Sequence, residues 1–224
     1  MRVGKLLVFG ATSATGQLIV RRALEMGWQV TVCGRRTLPE HSANGDIKTF
    51  EGPIDDEVTL RDAISGQDVI ISVLGPSSPF TKTKSKSDVF VPAYKKILTT
   101  MRNEGVRRII ALSTFGVRDP LDKFSLLHWL LATTLWAAAH KVWKTVNDVS
   151  KVFDEEGDDI DWTLFRVGFL ANGPRLRPIH GYVGDGTLGM YLRRADIAEW
   201  TLSQANKSPP EFVHGRPGIC SIDI

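Results

Sequence analysis

The first residues that could do chemistry form a short turn, Gly10 to Gly16, between an apolar run and a segment with helical periodicity. Such a turn lets backbone amides at a helix N-terminus approach a pyrophosphate, and small residues leave room for that approach. We therefore expect a nucleotide-phosphate site here, and a merely tight strand-to-helix turn is the alternative. The predicted binding residues are Gly10, Thr12, Ser13, Ala14, Thr15 and Gly16.

Two adjacent arginines, Arg35 and Arg36, follow the second predicted strand. They stand about twenty residues after Gly16, where an acidic residue would hold the ribose diol of NAD. Guanidinium groups instead suit a 2′-phosphate, which accepts paired, charge-assisted hydrogen bonds from them. The pair therefore predicts NADP(H) in preference to NAD(H), whereas the competing interpretation is a pair of solvated loop cations.

Hydroxyl and basic side chains supply the candidate catalytic groups. Ser113 and Thr114 end a predicted strand, at the edge where open α/β sheets bind ligands. Either hydroxyl could orient a substrate carbonyl or only cap the following turn.

His140, Lys144 and Asp148 recur every four residues and so share one face of a predicted helix. His140 or Lys144 could donate a proton, and the alternative is a Lys144–Asp148 surface ion pair with His140 in solvent.

Three tryptophans, Trp129, Trp136 and Trp143, recur every seven residues within a helical stretch predicted over 124–156, and so we expect them to share one helical face. Its first part, 124–139, is apolar nearly all round, which is typical of a helix that is buried or shared between subunits. We expect either a core or homodimer contact or an aromatic wall for a small, flat, apolar substrate. No membrane span is expected, because the apolar part is shorter than the roughly 20 residues that cross a bilayer.

The elements that must position these residues alternate between short apolar runs and longer amphipathic ones. Asp55 and Asp56 precede one amphipathic run as N-cap candidates, and Gly66 follows it as a stop. The sequence therefore predicts one α/β domain over 1–224, a Rossmann-type doubly wound parallel sheet with helices on both faces. Loops and the 124–156 stretch form its substrate side. The predicted strands are Lys5–Phe9, Gln29–Cys33, Ile47–Glu51, Asp68–Val73, Arg107–Ser113 and Asp161–Phe165.

Composition narrows the classes of partner. The 224 residues carry 28 Lys and Arg against 25 Asp and Glu, so the clustered basic excess of a nucleic-acid-binding surface is missing. Only two cysteines occur and the N-terminus lacks a signal-peptide pattern, which predicts a reduced, cytoplasmic protein. The five histidines are scattered, so no metal site is expected.

Further charged residues have no predicted chemical role. Lys82, Lys84 and Lys86 lie in an expected surface loop, either solvated or folding over a bound anion. Arg194 and Asp196 open the last predicted helix, and we expect them to form a structural pair.

Several motifs occur in the order found in the atypical short-chain dehydrogenases. The chain resembles this family over about residues 3 to 206, in particular its NmrA-like and flavin/biliverdin-reductase-like members. The motifs are Val8-Phe9-Gly10-Ala11-Thr12 with Gly16, Gly66-Gln67-Asp68-Val69-Ile70 leading to Leu74-Gly75, Leu112-Ser113-Thr114, Asp161-Trp162-Thr163-Leu164-Phe165-Arg166 and Arg194-Ala195-Asp196-Ile197-Ala198.

The resemblance implies an NAD(P)-binding fold in which three strand ends contact the cofactor. The Ser113-Thr114 strand end then faces the nicotinamide, and the segment after Arg166 closes over it. The implied cofactor contacts are Leu74, Gly75, Ser113, Val167 and Gly168, with Phe169 on the substrate side.

Three departures from the family pattern bear on function. Ser13 replaces the usual middle glycine of the phosphate turn, which predicts weakened or reshaped cofactor binding, and Val167 replaces a common proline. No Tyr-x-x-x-Lys occurs, so hydride transfer would need another proton donor or solvent. We expect an NADPH-dependent reductase of a conjugated or aromatic carbonyl, quinone or flavin-like substrate. The alternatives are a redox-neutral isomerase, cyclase or dehydratase, and a non-catalytic NADP(H)-sensing regulator.

Overall fold

The computed structural model describes residues 4–36, 47–75 and 87–222, so Lys82, Lys84 and Lys86 lie outside the described residues. Sixteen helices and strands follow one another along these ranges. They are β1 (Lys5–Phe9), α1 (Ala14–Glu25), β2 (Gln29–Gly34), β3 (Ile47–Glu51), α2 (Glu57–Ile64), β4 (Val69–Ser72), α3 (Ser87–Asn103), β5 (Arg108–Thr114), α4 (Leu126–Ala138), α5 (His140–Glu156), β6 (Asp161–Val167), β7 (Phe169–Ala171), β8 (Arg177–Gly181), β9 (Tyr191–Arg193), α6 (Arg194–Ala205) and β10 (Gly218–Ile222).

The main sheet has eight strands in the order β3-β2-β1-β4-β5-β6-β10-β8, and only β8 runs antiparallel to its neighbour. Strand order reverses between β1 and β4, because the chain first builds outward to β3 and then returns to the other side of β1. A doubly wound parallel sheet binds ligands at this reversal, beside the carboxyl ends of its strands. The predicted Rossmann-type fold is confirmed.

Helices cover both faces of the sheet, and β1 shows how its residues divide between them. Leu6 and Val8 point to the core shared with α1 and α6, whereas Leu7 and Phe9 point to the core shared with α2, α3 and α5. All four side chains have no solvent exposure. Burial on both sides explains why β1 is an unbroken apolar run, as parallel strands between helical layers require.

Helix termini follow the signals in the sequence. Asp56 is the N-cap of α2 and its carboxylate accepts a hydrogen bond from the Thr59 backbone at 2.8 Å. Gly66, with φ +70°, follows the end of the same helix, in the left-handed region that glycine enters without steric cost. Both predicted end signals of this helix are confirmed.

The six predicted strands are present, each ending within two residues of the predicted bounds. Four further strands, β7 to β10, were not predicted. β7 and β9 have three residues each, and β8 contains Pro178 and His180, so none of these carries a long apolar run. β10 lies between β6 and β8, so residues near the end of the described chain belong to the main sheet.

Two other predictions need correction. The helical stretch over 124–156 is interrupted at Ala139, whose φ of −140° and ψ of 45° separate α4 from α5. No glycine or proline marks this break, which explains why the helical periodicity continues through it.

Arg194 and Asp196 do not pair with each other. Arg194 donates to the Asn172 side chain, and the buried Asp196 carboxylate accepts from the Ser221 hydroxyl.

Candidate functional site

The phosphate turn lies at the carboxyl end of β1, where the strand order reverses. Gly10 has φ +80°, and a Cβ added to it would lie 3.0 Å from the Val73 backbone. A Cβ added to Gly16 would lie 2.2 Å from the Gly10 carbonyl oxygen. Both glycines are therefore required by the close approach of turn, strand and helix. The resulting cradle leaves Thr12, Ser13 and Ala14 exposed at the N-terminus of α1, whereas Thr15 and Gly16 are buried.

Ser13 has a different structural role from the glycine that is usual at this position. Its φ of −74° suits any residue, and its hydroxyl caps α1 by accepting a hydrogen bond from the Gly16 backbone at 3.0 Å. The serine therefore fits the turn without strain. Its hydroxyl also binds the backbone N–H of Gly16, which a glycine at position 13 would leave available to the phosphate. Reshaped cofactor binding therefore stays a prediction.

Arg35 and Arg36 directly follow β2, the neighbour of β1, and so lie at the same edge of the sheet as the turn. Both side chains are exposed, and neither forms an ion pair with the carboxylates of the described residues. Uncommitted guanidinium groups here fit the 2′-phosphate prediction. Their contact with a cofactor stays a prediction.

The ends of β4 and β5 bring three predicted residues together. Leu74, Gly75 and Ser113 line one small cavity with the ring of Tyr94. Ser113 is 4% exposed, and the Thr114 hydroxyl accepts a hydrogen bond from the Gly116 backbone at 3.2 Å. Thr114 therefore caps the turn that follows β5, whereas Ser113 lines the cavity. Their roles toward a substrate stay predictions.

Tyr94 is a buried phenol at this place that the sequence did not single out. Its hydroxyl lies 2.8 Å from the Ser72 hydroxyl, and the ring is 1% exposed. Burial raises the pKa of Tyr94 to about 12, although the hydrogen bond with Ser72 opposes that shift. A phenol that stays protonated over the whole physiological range and already has a partner is a structural group here.

The end of β6 carries the last predicted contacts. Val167 is buried, and a Cβ on Gly168 would lie 2.4 Å from the Met190 carbonyl oxygen. Phe169 is 53% exposed and its ring centroid is 5.8 Å from that of Tyr191, on the neighbouring strand β9. The strand end therefore presents an exposed aromatic pair. The contact of these residues with cofactor and substrate stays a prediction.

An aromatic cleft of about 720 Å³ opens beyond the end of β5. Phe115, Trp129, Trp136 and Trp143 line it, although Trp143 lies on α5 and the other two tryptophans on α4. The expectation that the tryptophans share one face of a single helix is wrong because of the break at Ala139. They nevertheless meet at one cleft, and substrate binding by them stays a prediction.

Residues 115–125 connect β5 to α4 and line this cleft, and we call them the cleft loop. A buried ion pair holds this loop. Arg166, with no solvent exposure, donates to both carboxylate oxygens of Asp122 at 2.5 and 2.7 Å and to the Val117 carbonyl at 3.0 Å. Burial alone would raise the pKa of Asp122. The hydrogen bonds and charge of Arg166, with backbone N–H groups of Asp119 and Val183, outweigh burial and lower that pKa.

His140 and Lys144 do not line the cleft. Lys144 forms an ion pair with Asp148, which confirms the predicted surface pair. His140 is exposed and its ring stacks on Trp143 with a centroid separation of 5.8 Å. A catalytic role for either residue stays a prediction that these positions do not favour.

His128 lines the cleft and was missed, because five scattered histidines gave no reason to choose one. Its Nδ1 lies 3.0 Å from the Ser125 hydroxyl. Burial is the largest effect on its pKa, which lies below the usual value. The Ser125-x-x-His128 spacing at the start of a helix is the signal that could have drawn attention to it.

Other kinds of site have no counterpart in the described ranges. Residues 4–36, 47–75 and 87–222 contain no cluster of three or more His, Cys, Asp or Glu side chains that could hold a metal ion. In the same part of the chain, no helix combines the length and apolarity needed to cross a bilayer. Leu126 and Leu130 of α4 are 59% and 49% exposed, and the homodimer contact expected through this helix stays a prediction.

Comparison with known proteins places this geometry among nucleotide-binding proteins. A family model described as NAD(P)H-binding matches residues 10–208, which include the phosphate turn and all three strand ends. A short-chain dehydrogenase/reductase of Veillonella parvula DSM 2008 is similar at 16% identity, over 98% of this chain and 94% of that chain, with a TM-score of 0.78. Another structure from that organism, solved in complex with NADP, has 16% identity over 97% and 94% and a TM-score of 0.76.

The anaerobillin reductase ChuY of Escherichia coli O157:H7 is similar at 17% identity over 98% of each chain, with a TM-score of 0.75. At these identities the solved structures establish the fold alone. The family match covers most of the chain and begins at the first glycine of the phosphate turn. The chain therefore belongs to the NAD(P)H-binding family.

Proposed function

We propose that the chain is an NADPH-dependent reductase of a small, flat, conjugated or aromatic carbonyl, quinone or flavin-like compound. The observation that carries this proposal is the position of the aromatic cleft. Phe115 and Gly116 line it and directly follow Thr114, the end of a strand beside the crevice where doubly wound sheets bind ligands. A substrate in the cleft is therefore next to the expected nicotinamide position.

The residues of the crevice fit a dinucleotide. The cradle around Gly10 and Gly16 brings amides of the α1 N-terminus toward a pyrophosphate, and Arg35 and Arg36 are free to hold a 2′-phosphate. Ser113, at the end of β5, lines the small cavity beside this crevice, and a role in orienting a substrate carbonyl stays part of the proposal. Bound NADPH would supply a hydride, and the protein would supply orientation and exclusion of water.

The comparisons support this proposal without naming a substrate. One solved structure of the same fold is a reductase of anaerobillin and another holds NADP. The exposed aromatic surfaces of Trp129, Trp136 and Phe169 suit a flat, conjugated compound, because stacking needs a large apolar ring.

Parallel titration with NADPH and NADH tests the cofactor part, with energy transfer from tryptophan to the reduced nicotinamide as the signal. Arg35→Ala and Arg36→Ala are each expected to weaken NADPH about tenfold or more and to leave NADH unchanged, because a charge-assisted hydrogen bond is lost. Arg61→Ala, a change at an exposed arginine of α2, is the control. Equal affinities of the wild type for the two cofactors would contradict the 2′-phosphate site.

Absorbance at the NADPH band tests the redox part, with a panel of quinones, flavins and aromatic carbonyls. Turnover is expected with at least one member.

A second candidate function is an NADP(H)-sensing regulator. It is favoured by the lack of Tyr-x-x-x-Lys in the sequence and by the hydrogen bond that joins the Tyr94 and Ser72 hydroxyls. Tight NADPH binding with no turnover across the panel would select that candidate.

A further inference from the structure

His128 is the group of the aromatic cleft whose chemistry the proposed function leaves unused. Its ring lines the cleft and meets Phe115 edge to face, with centroids 5.2 Å apart. Nδ1 is 3.0 Å from the Ser125 hydroxyl, while Nε2 is buried and has no hydrogen-bond partner in the described part of the chain. A buried nitrogen without a partner is uncommon and points to a group that a ligand satisfies.

The acidic and amide side chains of the cleft are already bound to the protein, whereas the cations Arg118 and Lys123 are exposed. Asp122 is bound to Arg166, and Asp119 accepts hydrogen bonds from the Leu121 and Arg216 backbones at 2.8 and 2.9 Å. The side-chain amide of Asn147 donates to backbone carbonyl oxygens of the loop and of α5. Among the groups that line the cleft, the imidazole differs from the exposed cations because its Nε2 is buried and has no partner among the described residues.

The contact with Ser125 is linked to which nitrogen of the ring carries the proton. If the Ser125 hydroxyl donates to Nδ1, the neutral ring carries its proton on Nε2. Burial and the charge of Arg166 favour the neutral ring, whereas Asp122 and Asp185 oppose them, and the pKa of His128 lies below its usual value. A neutral ring with Nε2–H is a hydrogen-bond donor that has no acceptor among the described residues.

We propose that His128 binds the carbonyl oxygen of the substrate through Nε2, an inference that rests on the proposed function. A flat ring that enters beside Phe115 brings its oxygen to this nitrogen. When hydride from NADPH adds to the carbonyl carbon, the π electrons of the carbonyl bond move onto the oxygen. The Nε2–H bond then stabilises the growing negative charge, and a solvent proton completes the alcohol. Ser125 acts as the positioning residue, since its hydroxyl holds the ring and its tautomer.

A binding experiment without turnover tests this role. The probe is 9,10-phenanthrenequinone, titrated into the complex of the protein with NADP⁺ and followed by quenching of the cleft tryptophans. His128→Phe keeps an aromatic ring against Phe115 and removes both nitrogens, so probe Kd should rise about tenfold, as for the loss of one buried hydrogen bond. His128→Gln restores an N–H donor and should recover most of the affinity. His180→Gln, a change at an exposed histidine on β8, is the matched control.

Phenanthrene, the same ring system without oxygen, separates the hydrogen bond from packing. Its Kd should be equal in the wild type and in His128→Phe. An equal loss of affinity for hydrocarbon and quinone, no loss for the quinone, or no binding of the quinone to the wild type would each overturn the inference. If the quinone binds through His128 but NADPH is never consumed, the reductase proposal fails and the binding role of His128 stands.

Discussion

Removing Arg166 tests how the cleft loop is held. The guanidinium has no solvent exposure and its partner, the Asp122 side chain, is 13% exposed. Arg166→Met keeps much of the apolar volume and removes the charge. The Asp122 carboxylate then keeps its backbone bonds from Asp119 and Val183 at 2.9 and 3.0 Å and loses both bonds from the guanidinium.

The expected cost follows from this geometry. Removing one partner of a buried ion pair costs about 3–5 kcal/mol, because the remaining charge stays desolvated. For a domain of this size, that loss lowers Tm by about 6–20 °C. The double variant R166M/D122N removes both charges and leaves an amide oxygen for Val183. We therefore expect it to recover most of the loss.

The pH dependence of the free energy of unfolding shows whether the charge of Asp122 is responsible for this stabilisation. The pKa of Asp122 is lower in the folded protein than in the unfolded chain, so its contribution is fully present above the unfolded value, near 3.9. It is lost as pH falls from there through the lower folded pKa. Because the unfolded chain contributes equally to both proteins, the free-energy difference between wild type and Arg166→Met should be full at pH 7 and shrink as pH falls through the folded-state pKa values of Asp122 in the two proteins.

Urea unfolding followed by tryptophan fluorescence, at pH 7, 5 and 3.5, measures all three variants. A loss below about 1 kcal/mol for Arg166→Met would place the pair among ordinary surface ion pairs and refute the reasoning. A difference that does not shrink at pH 3.5 would show that the carboxylate of Asp122 is not the group responsible.

Three further outcomes are expected. Gly16→Ala puts a Cβ 2.2 Å from the Gly10 carbonyl oxygen, so NADPH affinity should fall about tenfold or more, and unchanged affinity in the titration would contradict the cradle. Lys144→Ala removes an exposed ion pair, so Tm should move by less than about 2 °C and turnover should persist; lost turnover would instead support the predicted catalytic role. Burial, with the charge of Asp56 adding to it, raises the pKa of Cys33 to about 11, so iodoacetamide at pH 8 should leave Cys33 unmodified by mass spectrometry until urea is added.

Strands β1, β4 and β5 were predictable because they are almost entirely buried between the two helical layers. Runs such as Leu6 to Phe9 and Val69 to Ile71 are apolar at every position, and only a parallel sheet between helices needs that pattern. Gly10 and Gly16 were predictable for a similar reason, since a Cβ at either position meets backbone.

Strands β7 to β10 depend on contacts between residues far apart in the sequence. β8 pairs along its length only with β10, and its Arg177–Gly181 segment has no apolar alternation from which to recognise a strand. The break at Ala139 has no local signal, because alanine favours a continuous helix. The position of His128 in the cleft follows from how α4 lies against the loop of Phe115, which helical periodicity cannot specify.

The late position of β10 in the sequence has a consequence for synthesis on the ribosome. Arg216, just before β10, donates its backbone N–H to Asp119 in the cleft loop, and Gly218 pairs with Arg166 in β6. The close backbone contacts of Gly10 and Gly16 lie within the first 73 residues, whereas the cleft loop accepts one of its bonds from residue 216. We therefore expect a nascent chain that ends before residue 216 to contain the whole phosphate turn while the cleft loop still lacks a bond that holds it.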